Sequence, residues 1–399
     1  MNRTIAADPD TAVEATREDT PAAAPAAPPI FVFGTLRDPD VLAVALGPEH
    51  AGIAATPARL PGYRALTAAA GPFPALRPAP GDAGAPGLLL SPATAEVRRR
   101  LDAFEGPFAF ALAPVTVEGP QGPVRALAYL ADEVAVTGRP WVLEEWAATD
   151  KPLFLEMARE AAAFGPVPLH ARGGLIRRAL ARLSARRRTI APVLRTGFGR
   201  GDIAEHAVTR RHSGFFVTEE HVFRHRRFDG SMSPPISRET FVTGDTVAVL
   251  PWDPRSDRVL LIEQVRAGLL ARGEPDPWHL EVVAGFIDRG ERPEDAARRE
   301  AAEEAGLTLG RLHRIGSFYL SPGALTEMMT SFIGEADLSG VAEGVHGVAT
   351  EHEDIRAFVV PRADAVAALD TGEAGNAPLA FSLMALELHR ARLTEAWGG

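Results

Sequence analysis

The sequence predicts an α+β protein of two globular domains, and three observations predict it. A chain of 399 residues is long enough for two or three domains, each burying its own core. Short apolar runs bounded by Gly, Pro and Asp recur through residues 30–150 and again through 193–399, the mark of many short strands, with single helical stretches among them. Between the two, residues 151–192 carry two amphipathic helical stretches and read as a linker.

Composition excludes several classes. Hydrophobic content of 46% and charged content of 24% are ordinary for a globular protein. The net charge of −10 argues against general nucleic-acid binding. With no cysteine there is no disulfide, no thiol nucleophile and no thiolate-held zinc. No apolar run approaches the ~20 residues that span a bilayer, and residues 1–29 lack the apolar centre of a secretory signal. The expectation is a cytoplasmic protein that binds neither nucleic acid nor membrane.

Residues 1–29 are rich in Ala, Pro, Thr and acids and read as a disordered tail. Order begins at Ile30-Phe31-Val32-Phe33, a buried strand that runs into Gly34-Thr35-Leu36-Arg37 and a helix starting near Pro39. That turn exposes backbone N–H groups able to hold a carboxylate or phosphate, or it is an ordinary strand-to-helix connection. Residues 92–105 read as a helix stopped by Gly106, and residues 113–117 and 124–130 as a hairpin around Gly119-Pro120-Gln121-Gly122.

FGTLR and, about 65 residues later, LDAFEG together resemble the γ-glutamylcyclotransferase-like family. The resemblance covers residues 30–150 and implies a small mixed β-barrel with helices. It also implies that Glu105 is the acid/base of a cyclisation releasing 5-oxoproline, and that Gly34, Thr35 and Leu36 hold the substrate carboxylate. Phe33 stands where that family has tyrosine, and Phe108, Phe110 and Leu112 stand where many relatives have tyrosine and arginine. A structural or interaction module is the competing reading of this domain.

Within the linker, Leu153–Phe164 and the basic stretch Leu175–Arg188 have helical spacing. The second reads as a packed helix with a solvated basic face rather than a membrane or nucleic-acid contact. The third region opens with short strands at 208–211, 214–217 and 220–227, then 237–242, near-continuous apolar strands at 246–252 and 258–264, and a further strand at 278–283. Strands near 314–320, 330–336 and 355–360 and a helix over 379–396 complete it.

Between them lies GFIDRGERPEDAARREAAEEAGL, residues 285–307. Pro293 suits a first helical turn, Glu294 and Asp295 suit its positive end, and Gly306 suits its C-terminal cap. Glu300, Glu303 and Glu304 then share one helix face at i, i+3 and i+4, where their charges repel. A hard cation with oxygen ligands relieves that repulsion; the plain alternative is a solvated acidic face.

The stretch fills the strongly fixed positions of the pattern G-x5-E-x7-R-E-U-x-E-E-x-G-U, with Ala301 a small residue at the first U and Leu307 at the last. It resembles the Nudix box, which implies an α/β/α sandwich that cleaves a diphosphate joined to another group. FDGSMS, LEVVAGFID, YLSPGALTE and HGVATEHEDI extend the likeness over most of 205–397 and resemble bacterial ADP-ribose pyrophosphatases. That resemblance implies Mg²⁺, with Mn²⁺ the alternative, held by the Ala284 carbonyl and by Glu300, Glu304 and Glu353, with Glu303 beside them ligating a metal or orienting its water. It implies Glu351 as the residue that activates water, Arg266 on the diphosphate, Phe215, Arg238 and Glu239 at the adenine and ribose, and Glu327 at the terminal ribose. It further implies a homodimer whose partner completes part of the adenine site. His346 and His352 are not read as ligands, since oxygen-seeking metals dominate such sites. Rival readings are a pyrophosphatase for another nucleoside diphosphate sugar and a domain that senses ADP-ribose without cleaving it; the intact box glutamates weigh against the second.

Overall fold

A computed structural model of the chain describes residues 27–106, 110–131, 133–165, 172–191, 193–348 and 352–397. Residues 1–26 of the expected tail lie outside them. The chain divides into two compact units, one from residues up to 38 with 48–102 and 109–141, the other from 39–47, 103–108 and 142–399.

In chain order the first elements are β1 (Ile30–Phe33), a 3-10 turn at Gly34–Arg37, α1 (Pro39–Leu46), β2 (Ala54–Leu60), β3 (Tyr63–Ala68), β4 (Pro74–Pro78) and β5 (Ala85–Ser91). Next come α2 (Ala95–Glu105), β6 (Ala111–Gly119), β7 (Gly122–Leu130) and β8 (Val136–Pro140). β1, β5, β2, β6 and β7 close into a barrel in that order. β1 is antiparallel to β5 and parallel to β7, so the barrel is mixed, as expected from the resemblance. Its interior is filled by Phe31, Phe33, Leu60, Leu89, Val117 and Ala128, which explains the unbroken apolar run of β1. β4, β3 and β8 form a separate three-stranded sheet. α2 begins where the Thr94 hydroxyl accepts the Val97 N–H at 3.1 Å, an N-cap bond.

The chain continues through α3 (Leu143–Thr149), α4 (Lys151–Phe164), α5 (Arg172–Arg187), β9 (Ile203–Ser213), β10 (Val217–His225), β11 (Ile236–Val242), β12 (Thr246–Asp253) and β13 (Arg258–Val265). Then follow α6 (Ala267–Arg272), β14 (Trp278–Glu281), β15 (Val283–Phe286), α7 (Pro293–Ala305), β16 (Leu312–Tyr319) and β17 (Met328–Glu335). β18 (Gly344–His346), β19 (Ile355–Pro361), α8 (Arg362–Thr371) and α9 (Ala377–Trp397) end it. β16, β17, β12, β13, β19 and β18 lie in that order in an eight-stranded sheet, with β15 on β12 and β14 on β13. The central strands alternate their side chains between two apolar layers. Val247, Val249, Leu260 and Ile262 meet Ala296, Ala297, Ala301 and Ala305 of α7. Ala248, Leu250, Trp252, Val259 and Leu261 meet Leu379, Leu383, Leu386 and Trp397 of α9. Helices on both faces make the expected sandwich and explain why β12 and β13 are apolar at nearly every residue.

Two expected boundaries move. The three short strands read over 208–227 are two long ones, because Gly214–Phe216 turns, with the Gly214 N–H donating to the Phe216 carbonyl at 2.9 Å. The strand expected at 278–283 is two, since β14 pairs with β13 while β15 crosses to β12. No helix among the described residues is long and apolar enough to cross a membrane.

The basic face of α5 is partly interior. Glu160 of α4 is wholly buried and accepts Arg178 at 2.6 Å, Arg210 of β9 at 2.9 Å, and Arg182. Burial pushes its carboxyl up, and the Arg178 and Arg182 guanidiniums outweigh that and hold it below the usual range. Arg210 also lies over the Phe164 ring at 4.0 Å and bonds Glu219 at 2.6 Å. Removing the shared acid leaves the buried Arg178 without a counter-charge, while Arg210 keeps Glu219. Glu160→Ala is expected to cost about 3–5 kcal/mol, read as a lower thermal unfolding midpoint; a midpoint unchanged from the native chain would show that the network contributes nothing.

Candidate active site

α7 starts with Pro293 at its first turn and ends at Gly306 in the left-handed region, φ +62°, whose N–H returns to the Ala301 and Ala302 carbonyls. Ala301 is wholly buried against the sheet, which accounts for a small residue at that point of the box. With the alanines inward, Glu300 and Glu304 fall at the edge of the buried face, 9% and 3% exposed, and Glu303 falls outside it.

The Ala284 N–H of β15 donates to Glu304 Oε2 at 3.0 Å. Beside it, Gly285 leaves room for Glu300. A Cβ on residue 285 would stand 2.0 Å from Glu300 Oε1, so the first glycine of the box is a matter of space. Arg299 ties the region together. It bonds Glu291 Oε1 at 2.8 Å, Glu300 Oε1 at 2.7 Å, Glu303 Oε2 at 2.8 Å and the Phe286 carbonyl at 2.9 Å. Glu353 arrives from another loop and accepts the Val348 N–H at 3.0 Å.

These groups line one cavity of about 590 Å³. Ala284, Glu300, Glu303, Glu304 and Glu353 stand at its acidic wall, with Arg266 and Glu327, and the rings of Phe215, Phe216 and Phe241 also line it. Phe215 meets Phe216 edge-on with centroids 4.8 Å apart, and Phe216 meets Phe241 at 4.6 Å. Phe215 itself is 66% exposed, a ring presented to solvent. Arg266 is held by the buried Glu281 at the end of β14, Nε to Oε1 at 2.9 Å. Glu327 accepts the Thr246 hydroxyl at 2.8 Å.

Burial pushes the Glu300 carboxyl up to about 7, with Glu303 and Glu353 adding to it and Arg299 opposing it. Burial, with Glu300 and Glu353 adding to it, pushes Glu304 up to about 8. Buried acids with only oxygen donors around them fit a hard divalent cation. Among the described residues no three His, Asp or Glu side chains already converge as a ligand set. Glu300 and Glu303 are turned to Arg299, Glu304 to the Ala284 N–H and Glu353 to that of Val348.

Other expected site residues fall elsewhere. Arg238 and Glu239 are exposed toward the middle of β11 and line no part of this cavity, which that strand reaches through Phe241 near its end. Glu351 lies outside the described residues. Gly34, Thr35 and Leu36 form the buried 3-10 turn of the barrel. Gly34 has φ +61°, and a Cβ there would meet Pro74 Cγ at 2.1 Å. Glu105 ends α2, makes no hydrogen bond or ion pair among the described residues, and is pushed up to about 8 by burial. Glu281, Phe216 and Phe241 escaped the sequence reading. Glu281 carried one signal, an acid set between Leu280 and Val282-Val283 in an apolar run; the phenylalanines look like any core aromatic.

Two family models match the chain: the NUDIX domain over residues 242–382 and the gamma-glutamyl cyclotransferase, AIG2-like domain over 30–148. Sandwich, box and cavity thus define a Nudix domain, standing C-terminal to a cyclotransferase-like barrel. Over 200 residues the chain is 43% identical to an ADP-ribose pyrophosphatase of Escherichia coli (strain K12), covering 50% of this chain and 95% of that protein. It is 39% identical over 188 residues to an ADP-ribose pyrophosphatase of Haemophilus influenzae, covering 47% of this chain and 86% of that protein. It is 32% identical over 151 residues to a GDP-mannose pyrophosphatase of Enterobacter sp. (strain 638), covering 38% and 78%. The chain belongs to the Nudix hydrolase family.

The raised carboxyls bear on stability. Both hold their protons more tightly folded than unfolded, so between about pH 4.5 and 8 the native state binds more protons and loses stability as pH rises. In EDTA the thermal midpoint is expected to fall from about pH 5 to 8 more steeply for the native chain than for Glu300→Gln/Glu304→Gln. A divalent cation should raise the midpoint more at the higher pH, because its ligands must be deprotonated. Equal pH slopes in the two proteins would contradict the assignment.

Proposed function

We propose that the Nudix domain hydrolyses ADP-ribose to AMP and ribose 5-phosphate with Mg²⁺. The observation that carries this is one cavity lined by box carboxylates, an arginine and an aromatic set, in a chain 43% identical to ADP-ribose pyrophosphatases along nearly their whole length.

Glu300, Glu304, Glu353 and the Ala284 carbonyl would hold the cations, and Mg²⁺ so bound neutralises diphosphate charge and acidifies water. The chain's own groups supply the rest. Phe215, Phe216 and Phe241 offer ring faces for the base. Arg266, already oriented by Glu281, offers a planar fork to phosphate oxygens. Glu327, pushed up by burial, faces the sugar end as an acceptor or donor of hydrogen bonds. Glu351 takes the proton from the attacking water. Arg238 and Glu239, exposed on β11, would serve a substrate held across a homodimer.

The GDP-mannose pyrophosphatase similarity favours a second reading, cleavage of another nucleoside diphosphate sugar at the same cavity. For the barrel, we propose that Glu105, a carboxyl raised by burial and unpaired among the described residues, acts in its ionised form, taking a proton from the α-amine of a γ-glutamyl amide and passing it to the departing amine as 5-oxoproline closes.

Purified protein with ADP-ribose and Mg²⁺ is expected to release AMP, and Glu304→Gln and Gly285→Ala are each expected to reduce the rate by about a hundredfold or more. AMP release unaffected by either change would refute the site; cleavage of another nucleoside diphosphate sugar in place of ADP-ribose would keep the site and replace the substrate. For the barrel, γ-glutamyl dipeptides are expected to yield 5-oxoproline in the native chain and none with Glu105→Gln. Absence of release from both would leave an interaction module.

A further inference from the structure

A second and larger cleft, about 1030 Å³, lies between helices α3–α5 and the β16–β17 side of the sheet. Its volume is at the upper end of small-molecule sites. α4 and α5 fall outside both family matches, so this cleft is walled by residues outside the Nudix match as well as within it.

Its charges do not cancel. Among its acids, Asp150 is taken by Arg289, Asp288 lies 3.9 Å from Arg177, and Glu291 is held by Arg299. Asp245 accepts from Ser184 and from the Met328 backbone and feels the charge of Arg188, without a direct ion pair to it. Three arginines lining the same cleft, Arg187, Arg188 and Arg314, are ion-paired with no carboxylate among the described residues. Arg188 rests on Met328 Sδ at 3.0 Å, and Arg314 donates to the Ser317 hydroxyl at 2.7 Å. Neither contact neutralises a guanidinium. Beside them the wall is apolar, with Leu180, Leu183 and Ile315. Guanidiniums offer paired N–H donors that match phosphate oxygens, and the leucines and isoleucine offer a surface for a carbon skeleton.

We propose that this cleft binds a small organic phosphate, its phosphoryl group on Arg187, Arg188 and Arg314 and its apolar part on Leu180, Leu183 and Ile315. The site adjoins the diphosphate cavity, sharing Arg177 and Asp288 with it, and does not depend on which nucleotide is cleaved there.

The test is calorimetric titration of the full chain with phenyl phosphate in EDTA, so that no cation draws the probe to the box. Phenol serves as the uncharged control. Phenyl phosphate is expected to bind and phenol not. Arg188→Ala/Arg314→Ala is expected to weaken binding at least tenfold, and Arg266→Ala to leave it within twofold. Leu183→Trp, which crowds the apolar wall beside the arginines without removing a charge, is expected to weaken binding at least tenfold and keeps the test independent of arginine loss. No binding to the native chain, binding equal in the double variant, or loss confined to Arg266→Ala would each overturn the assignment. The last result would place the probe in the diphosphate cavity.

Discussion

One guanidinium holds the catalytic region in shape. Arg299 binds Glu291 before the helix, the Phe286 carbonyl at the end of β15, and Glu300 and Glu303 on its own helix. Without that charge at the centre, several carboxylates would face one another across a loop. With it, the 287–292 connection closes over the start of α7, and Glu304 can sit buried against the Ala284 N–H. The ordering is electrostatic first and steric second, since Gly285 only supplies the space that Glu300 fills. The same four contacts leave Glu300 turned away from a ligand arrangement, so cation binding and the Arg299 clamp draw on the same oxygen atoms.

Much of this was readable because it is local. A helix starting at Pro293 and capped by Gly306 and its acidic face follow from spacing and capping alone, and the box pattern joins them to a chemistry. β12 and β13 announced themselves by unbroken apolarity, which a sheet covered on both faces demands. The barrel followed from two short motifs, and its mixed pairing is present.

The rest was hidden because it depends on partners distant in sequence. Nothing near Arg266 reveals that Glu281 holds it, and Phe216 and Phe241 join the cavity through a turn and a strand pairing. The Gly214–Phe216 turn was misread as strand because its two phenylalanines have strand-like chemistry while the glycine alone marks the reversal. Arg238 and Glu239 show another limit. A strand can carry residues suited to a ligand and still lie outside the cavity of its own chain.

The stacking of Arg177 on Phe286 carries a consequence for where the hydrolase begins. This arginine of α5 lies 4.3 Å over the ring at the end of β15, immediately after the glycine that accommodates Glu300. It lines both the diphosphate cavity and the arginine-rich cleft. A fragment cut to the Nudix match would therefore keep every box residue yet lose part of the wall of the cavity they line. The helical segment is therefore more than a spacer: its arginine is a piece of the domain that follows it.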